Sequence, residues 1–157
     1  MNRDSRLSSV LHALLHMADA EAPMTSQQLA VCMGTHPVVV RRTMAHLREA
    51  GLVRSEKGPG GGWSIACDLA AVTLRDVHAV LGEPAVFAIG NRSDQPACLV
   101  EQSVNAVLDE AFQAAEALLL ERFSAVTLAA LATEFSRRYA PHRARHLSEP
   151  EEDPHDP

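Results

Sequence analysis

The amino-acid sequence predicts a mainly α-helical protein with one small β-hairpin and a long helix in its C-terminal half. Three observations carry that prediction. Two short helical segments meet at a glycine, Gly34, with one further helix before them. A run that neither helix nor strand accommodates, Gly58-Pro59-Gly60-Gly61-Gly62, divides two strand-like stretches directly after the third helix. An uninterrupted helical pattern extends over about 97–122. Helix, helix-turn-helix and hairpin in that order define a winged helix-turn-helix, here followed by a long C-terminal helix suited to dimerisation.

In residues 6–19, Leu7, Val10, Leu11, Leu14, Leu15 and Ala18 recur at helical spacing, and Ala22-Pro23 breaks the pattern. Thr25-Ser26-Gln27-Gln28 has the form of a capping box, a hydroxyl with Gln three residues on. The helix it starts runs to Met33, where Gly34 tolerates the left-handed stop. The third helix is capped by Thr35 or His36 and carries Pro37 in its first turn, where a missing N–H costs nothing. It ends at Ala50-Gly51. Residues 52–56 and 63–67 read as the two strands of the hairpin. Thr73 caps a short helix over 74–81, closed by Gly82 and Pro84. The long helix spans nearly 40 Å at about 1.5 Å per residue. Residues 124–139 form a last helix with Leu128, Leu131, Ala132 and Phe135 inward. The expected divisions are 1–82 for the winged domain, 83–97 for a linker loop, 98–139 for dimerisation helices and 140–157 for a disordered acidic, Pro-rich tail.

Composition narrows the function. No apolar run approaches the roughly 20 residues of a membrane span, and residues 1–20 have no signal-peptide pattern, so a cytoplasmic protein is expected. The three cysteines, Cys32, Cys67 and Cys98, are odd in number and widely spaced, which disfavours a disulfide framework. The net charge of −6 is unevenly distributed. Residues 1–63 hold seven basic and five acidic side chains, net +2, whereas 64–157 hold seven and fifteen, net −8. A mildly basic half joined to an acidic half fits a protein of which only the first half meets phosphates.

On the third helix Val40, Met44 and Leu47 share one face, expected to lock into the core. The opposite face carries Val38, Arg42, Ala45 and Glu49, flanked by Arg41 and Arg48. Small or apolar tips with arginines are what a major-groove helix needs. A basic outer face is equally what an ordinary solvated helix shows, and the hairpin behind it decides for the DNA reading. Arg54 and Lys57 lie toward its tip, where glycines permit close backbone approach to phosphate. A nucleotide-cradling loop is disfavoured, because Gly-x-x-x-x-Gly-Lys-Ser/Thr is absent and the loop joins two strands. The apolar stripe of the long helix, Val100, Val104, Val107, Leu108, Ala111, Ala115, Leu118 and Leu119, exceeds what a domain of this size covers and suits a symmetry mate. A buried intrachain helix is the alternative.

In Pro37-Val38-Val39-Val40-Arg41-Arg42, Leu47-Arg48-Glu49-Ala50-Gly51-Leu52-Val53, Gly58-Pro59-Gly60-Gly61-Gly62-Trp63 and Val72-Thr73-Leu74-Arg75-Asp76-Val77, the chain resembles the Rrf-two family of regulators over roughly residues 5–135. The Pro-Val-Val-Val-Arg-Arg run and a lone Cys before the long helix look most like its YwnA-type branch, which lacks cluster cysteines. The resemblance implies a homodimer on a palindromic double-stranded DNA operator, with the third helix in the major groove and the wing in the minor, and a repressor is the expected role. It points to Thr25, Ser26 and Gln27, to Val38, Arg41, Arg42, Ala45 and Arg48, and to Lys57, Gly58, Gly60 and Gly61 as DNA-facing positions, and the residue-level reading adds Pro37 and Arg54 to the expected DNA-binding set. Members that sense through an iron–sulfur cluster gather three cysteines before the long helix, often with a ligand from the first helix. Here residues 85–100 contain only Cys98, and Ser8 or Ser9 stands near the first-helix position, so no cluster and no other cofactor is expected.

Cys98 is the candidate redox sensor. Near the start of the long helix, amide N–H groups and the positive dipole end would stabilise its thiolate, while a small packing residue is the alternative. His12/His16 and His142/His146 have chelating spacing but make only half a zinc site each, so no metal is expected. No nucleophile elbow or paired carboxylates indicate an enzyme. Two other function classes stay open on sequence alone: a winged module that binds a protein partner with little DNA affinity, and a metal- or cluster-dependent sensor. A small-molecule effector is a further expected partner class.

Overall fold

The structure, a computed structural model, describes residues 5–87 and 97–146, with side chains to residue 138. The elements are α1 (Arg6–Asp19), α2 (Ser26–Met33), α3 (Pro37–Glu49), β1 (Val53–Glu56), β2 (Gly62–Ile65), α4 (Leu74–Val80), α5 (Leu99–Ser124) and α6 (Leu128–His146). The fold is mainly helical with one two-stranded antiparallel sheet, as the sequence predicts.

Local chemistry sets the helix-turn-helix. The hydroxyl of Thr25 accepts from the Gln28 N–H, and the Gln28 side chain accepts from the Thr25 N–H at 2.8 Å, completing the capping box. Gly34 closes α2 at φ 60°, with the Thr35 N–H on the Ala30 carbonyl. Pro37 opens α3, and the cap is His36, whose Nδ1 accepts from the Val38 N–H at 3.2 Å. α3 ends with Gly51 at φ 76° and the Leu52 N–H on the Leu47 carbonyl at 2.9 Å, the same left-handed closure. This closure turns the chain at once into β1.

Strand register pairs Val53 with Ile65, Arg54 with Ser64, Ser55 with Trp63 and Glu56 with Gly62. The strands are shorter than the five residues expected on each side. The hairpin gains a third partner that the sequence does not announce. Met24 bridges Trp63 through two backbone hydrogen bonds of 2.8 and 2.9 Å, and the Trp63 indole donates to the Ser26 hydroxyl at 3.1 Å. The segment leading into α2 and the wing are thus one structural piece.

The core gathers Val10, Ala13, Leu14 and Met17 from α1, Leu29 and Ala30 from α2, Val40, Met44 and Leu47 from α3, Leu52 and Val53, Val77 from α4 and Leu128 from α6. Burying each large side chain contributes about 1.5–3 kcal/mol. Two corrections follow. On α1, Ala13 and Met17 enter the core while Ala18 is exposed. The helix is apolar over so broad an arc that spacing alone leaves its inward line undetermined, and α2, β2, α4 and α6 all pack on it. Second, α6 is not purely an appendage of a dimerisation unit. Leu128 is buried in the winged domain's core, its N–H bonds the Val72 carbonyl at 2.9 Å, and Thr127 bridges Thr73. The expected dimerisation segment 98–139 therefore contains a residue of the winged domain's core in the first turn of α6, and its end at 139 falls inside that helix.

α5 starts at Leu99 rather than Ala97 and ends at Ser124 rather than Arg122. α6 continues through Pro141 to His146, beyond the expected start of the tail. Most of the predicted linker, including Pro96, and the tail from 147 lie outside the described residues.

Candidate nucleic-acid interface

α3 is clamped from one side. Val40, Met44 and Leu47 are each 0% exposed. At 100° per residue the opposite direction falls on Arg42 and Glu49, with Val38, Ala45 and His46 beside them and Arg41 and Arg48 on the flank. Arg41, Arg42, His46, Arg48 and Glu49 are exposed, and Ala45 is half-buried among them. A small residue in the middle of this face lets the helix backbone approach another surface closely. His46 belongs to it and is not among the positions the sequence points to. Its place opposite the buried triad is the signal that finds it.

The other predicted positions separate into two groups. Gln27 and Lys57 are exposed side chains at the start of α2 and on the hairpin loop. Gly58 and Gly60 sit at φ 91° and 75° with open space where a Cβ would project. Those positions are available to an external partner. Thr25 and Ser26 are engaged inside the molecule, the first in the capping box and the second by Trp63. Gly61 serves the turn itself, because a Cβ there would stand 2.3 Å from the Glu56 carbonyl oxygen. Arg54 lies in the stem of the wing rather than at its tip, with Nε 3.4 Å from Glu56 Oε1. The pair is exposed and contributes little to stability. Pro37 is half-buried and sets the entry to α3.

The predicted dimer stripe is presented on the surface of the single chain. Val100 is 72% and Val107 68% exposed, and Val104, Leu108, Ala111, Ala115 and Leu118 are also exposed. Leu119 is half-buried instead, lining a cavity of about 250 Å³ with Leu7, His78, Pro84, Val86 and Phe123. A wholly buried intrachain helix is thereby excluded for α5, whose one buried residue is Asn105. In the cavity wall, His78 Nε2 is 3.0 Å from the Pro84 carbonyl oxygen, and Phe123 meets the ring edge-on at 6.0 Å.

Cys98 is the N-cap of α5 and exposed. The N–H groups of Glu101 and Val100 point toward its sulfur and hold the thiol below its ordinary pKa, without forming a capping hydrogen bond of full geometry. Cys67 behaves oppositely, since burial pushes its thiol up. The donor set does not fit an iron–sulfur cluster. Cys32 lies in α2 and Cys67 follows β2, and among the described residues no three His, Cys, Asp or Glu side chains come together as a metal would require. His12 and His16 Nε2 atoms stand 2.9 Å apart, with the Phe135 ring edge-on to His16 at 6.0 Å, and the side chains of His142 and His146 lie outside the described residues. No helix among the described residues is long and apolar enough to cross a membrane.

A clamped helix with a basic outer face, a wing braced on the preceding segment, and a long helix with an exposed apolar stripe define a winged-helix regulator of transcription. The sequence profile of the Rrf2 family, described as an iron-dependent transcriptional regulator, matches residues 3–134, and the chain belongs to that family. It is 31% identical over 114 residues to YwnA of Bacillus subtilis (strain 168), named as an HTH-type transcriptional regulator, a match covering 72% of this chain and 84% of YwnA. Among solved structures, T. potens IscR superposes with a TM-score of 0.63 at 18% identity, covering 88% of this chain and 90% of that one. CymR, the global cysteine regulator of B. subtilis, superposes with a TM-score of 0.55 at 21% identity, covering 85% and 98%. At those identities the two structures speak for the fold alone.

Proposed function

We propose that the protein is a sequence-specific double-stranded DNA-binding regulator, acting as a repressor, that grips a palindromic operator as a homodimer. The observation that carries this reading is the division of α3 into a face with three fully buried apolar side chains and an opposite face bearing Val38, Arg42 and Ala45 between Arg41 and Arg48. In this reading α3 lies in the major groove, the Gly58–Gly60 loop with Lys57 reaches the neighbouring minor groove, and Gln27 meets the phosphate backbone at the start of α2. Two copies pair along the α5 stripe, which sets their recognition helices one DNA turn, about 34 Å, apart. The reading assigns no catalysis to the protein. Its switch is Cys98: the exposed thiol, held below its ordinary pKa at the start of α5, is the group whose modification would tilt the dimer helix.

Selection of bound sequences from random duplex DNA tests the reading directly, and a palindrome with half-sites about one turn apart is the expected result. Arg42→Ala then weakens binding to the selected site by about 1–3 kcal/mol and relaxes preference at one base position per half-site, with the dimer intact. Unchanged affinity on the selected site removes α3 from the groove. Recovery of no sequence preference turns the assignment toward a protein-binding winged module.

A further inference from the structure

The sequence places three valines in a row at the start of α3, and the structure sends each in a different direction. Val40 is fully buried against the core. Val39, 47% exposed, lies on the flank of the helix and lines a shallow cavity with Met33, Thr43 and Leu81. Val38 is 48% exposed and belongs neither to the core nor to the half-buried residues packed on it. Its backbone N–H is taken by the His36 ring, so the residue offers the outside only an isopropyl group. Pro37 before it fixes the backbone, and a β-branched side chain has little rotamer freedom in a helix, so that group is held in one place. It stands one helical turn, about 6 Å, before Arg42 on the same outward face.

In a major groove, the feature an isolated rigid apolar group recognises is the C5-methyl of thymine, since the other base-edge features of the groove are hydrogen-bond donors and acceptors. Resting on the reading of α3 as the groove helix, we infer that Val38 is a specificity-determining residue that packs against one thymine methyl in each operator half-site. That thymine lies within about two base pairs of the base read by Arg42, given the 6 Å offset and a rise of about 3.4 Å per base pair.

The test uses the full chain and a duplex obtained by selection from random DNA. Each thymine is replaced in turn, symmetrically in both half-sites, by deoxyuridine, which removes the methyl and nothing else. Affinity is measured by fluorescence anisotropy for the parent, Val38→Ala and Arg42→Ala. At one thymine per half-site, uracil weakens the parent roughly fourfold per methyl, or about fifteenfold for the pair. Val38→Ala binds the thymine duplex more weakly by a similar factor and loses nothing further with uracil. Arg42→Ala keeps its sensitivity to the methyl, because it reads a different base. If no thymine is sensitive in the parent, or if uracil weakens the parent and Val38→Ala equally, the assignment of Val38 is overturned while the regulator stands. If selection yields no preferred sequence, the proposed function fails, and this assignment with it.

Discussion

α3 and α5 carry similar material and end in opposite states. Both have aliphatic side chains at helical spacing and charges elsewhere. The apolar face of α3 is sealed completely, at 0% exposure, with α2, β1 and α4 packed on the helix, whereas the stripe of α5 stays in contact with solvent along most of its length. The difference is one of supply. Around α3 the chain has brought α2, β1 and α4 together. Among the described residues, α5 receives α4 and the Phe87–Phe112 ring contact near its middle, and little else covers it. A helix closed from within acts as a rigid platform, and its opposite face becomes the working surface. A helix left open leaves an apolar surface to be covered, and in the proposed reading a second copy of the same stripe covers it.

Breaking the closed side gives the largest effect. Leu47→Ala removes a fully buried side chain beneath the recognition face and lowers unfolding stability by about 2–5 kcal/mol in a urea titration. Breaking the open side gives a different signature. Val107→Glu in the α5 stripe converts dimer to monomer by sedimentation velocity, while the fold of the winged domain, followed by circular dichroism, persists. Loss of folding on that substitution, or an unchanged dimer, would contradict the contrast between the two helices.

A smaller effect is expected where the two regions are stitched together. Thr73 caps α4, its hydroxyl and N–H both bond Asp76, and Leu74 and Leu128 tie the same segment to the α5–α6 turn. Thr73→Ala costs about 1 kcal/mol. The Thr73 hydroxyl first, then its N–H, holds the Asp76 carboxyl below the ordinary carboxylate range. A depressed carboxylate stabilises fully above its unfolded pKa and loses that contribution as pH falls through its folded value. Acid titration of stability should therefore become shallower in Thr73→Ala. The smallest effect concerns reactivity alone. Cys98 should alkylate with iodoacetamide faster than Cys67 and retain reactivity to lower pH, as read by mass spectrometry of short labelling times, because helix-end amides favour one thiolate and burial disfavours the other.

Much of this architecture was legible because its signals are local. The Thr25–Gln28 box, the Gly34 and Gly51 stops, Pro37 in the first turn and the glycine run of the hairpin each act within a few residues. The outward arginines followed from the same periodicity that buried Val40, Met44 and Leu47. What escaped was long-range. Ser26 reads like a free hydroxyl at a helix start until Trp63, 37 residues on, donates its indole N–H to it. Gly61 reads like a flexible approach point until the turn closes within 2.3 Å of a carbonyl oxygen. His46 carries no motif, and only the orientation of α3 puts it on the exposed face.

By itself, then, the order of residues determined which segments are helices, where α2 and α3 start and stop, and that one helix is too long and too apolar for a single small domain to cover. Tertiary packing decided the rest: which arc of α1 turns inward, that Leu128 joins the winged core rather than a separate coil, and which polar groups at the tip of α2 are already spent. The reason is physical. Helix caps and turns are settled by hydrogen bonds between near neighbours, whereas a side chain's availability depends on what distant chain segments bring to it.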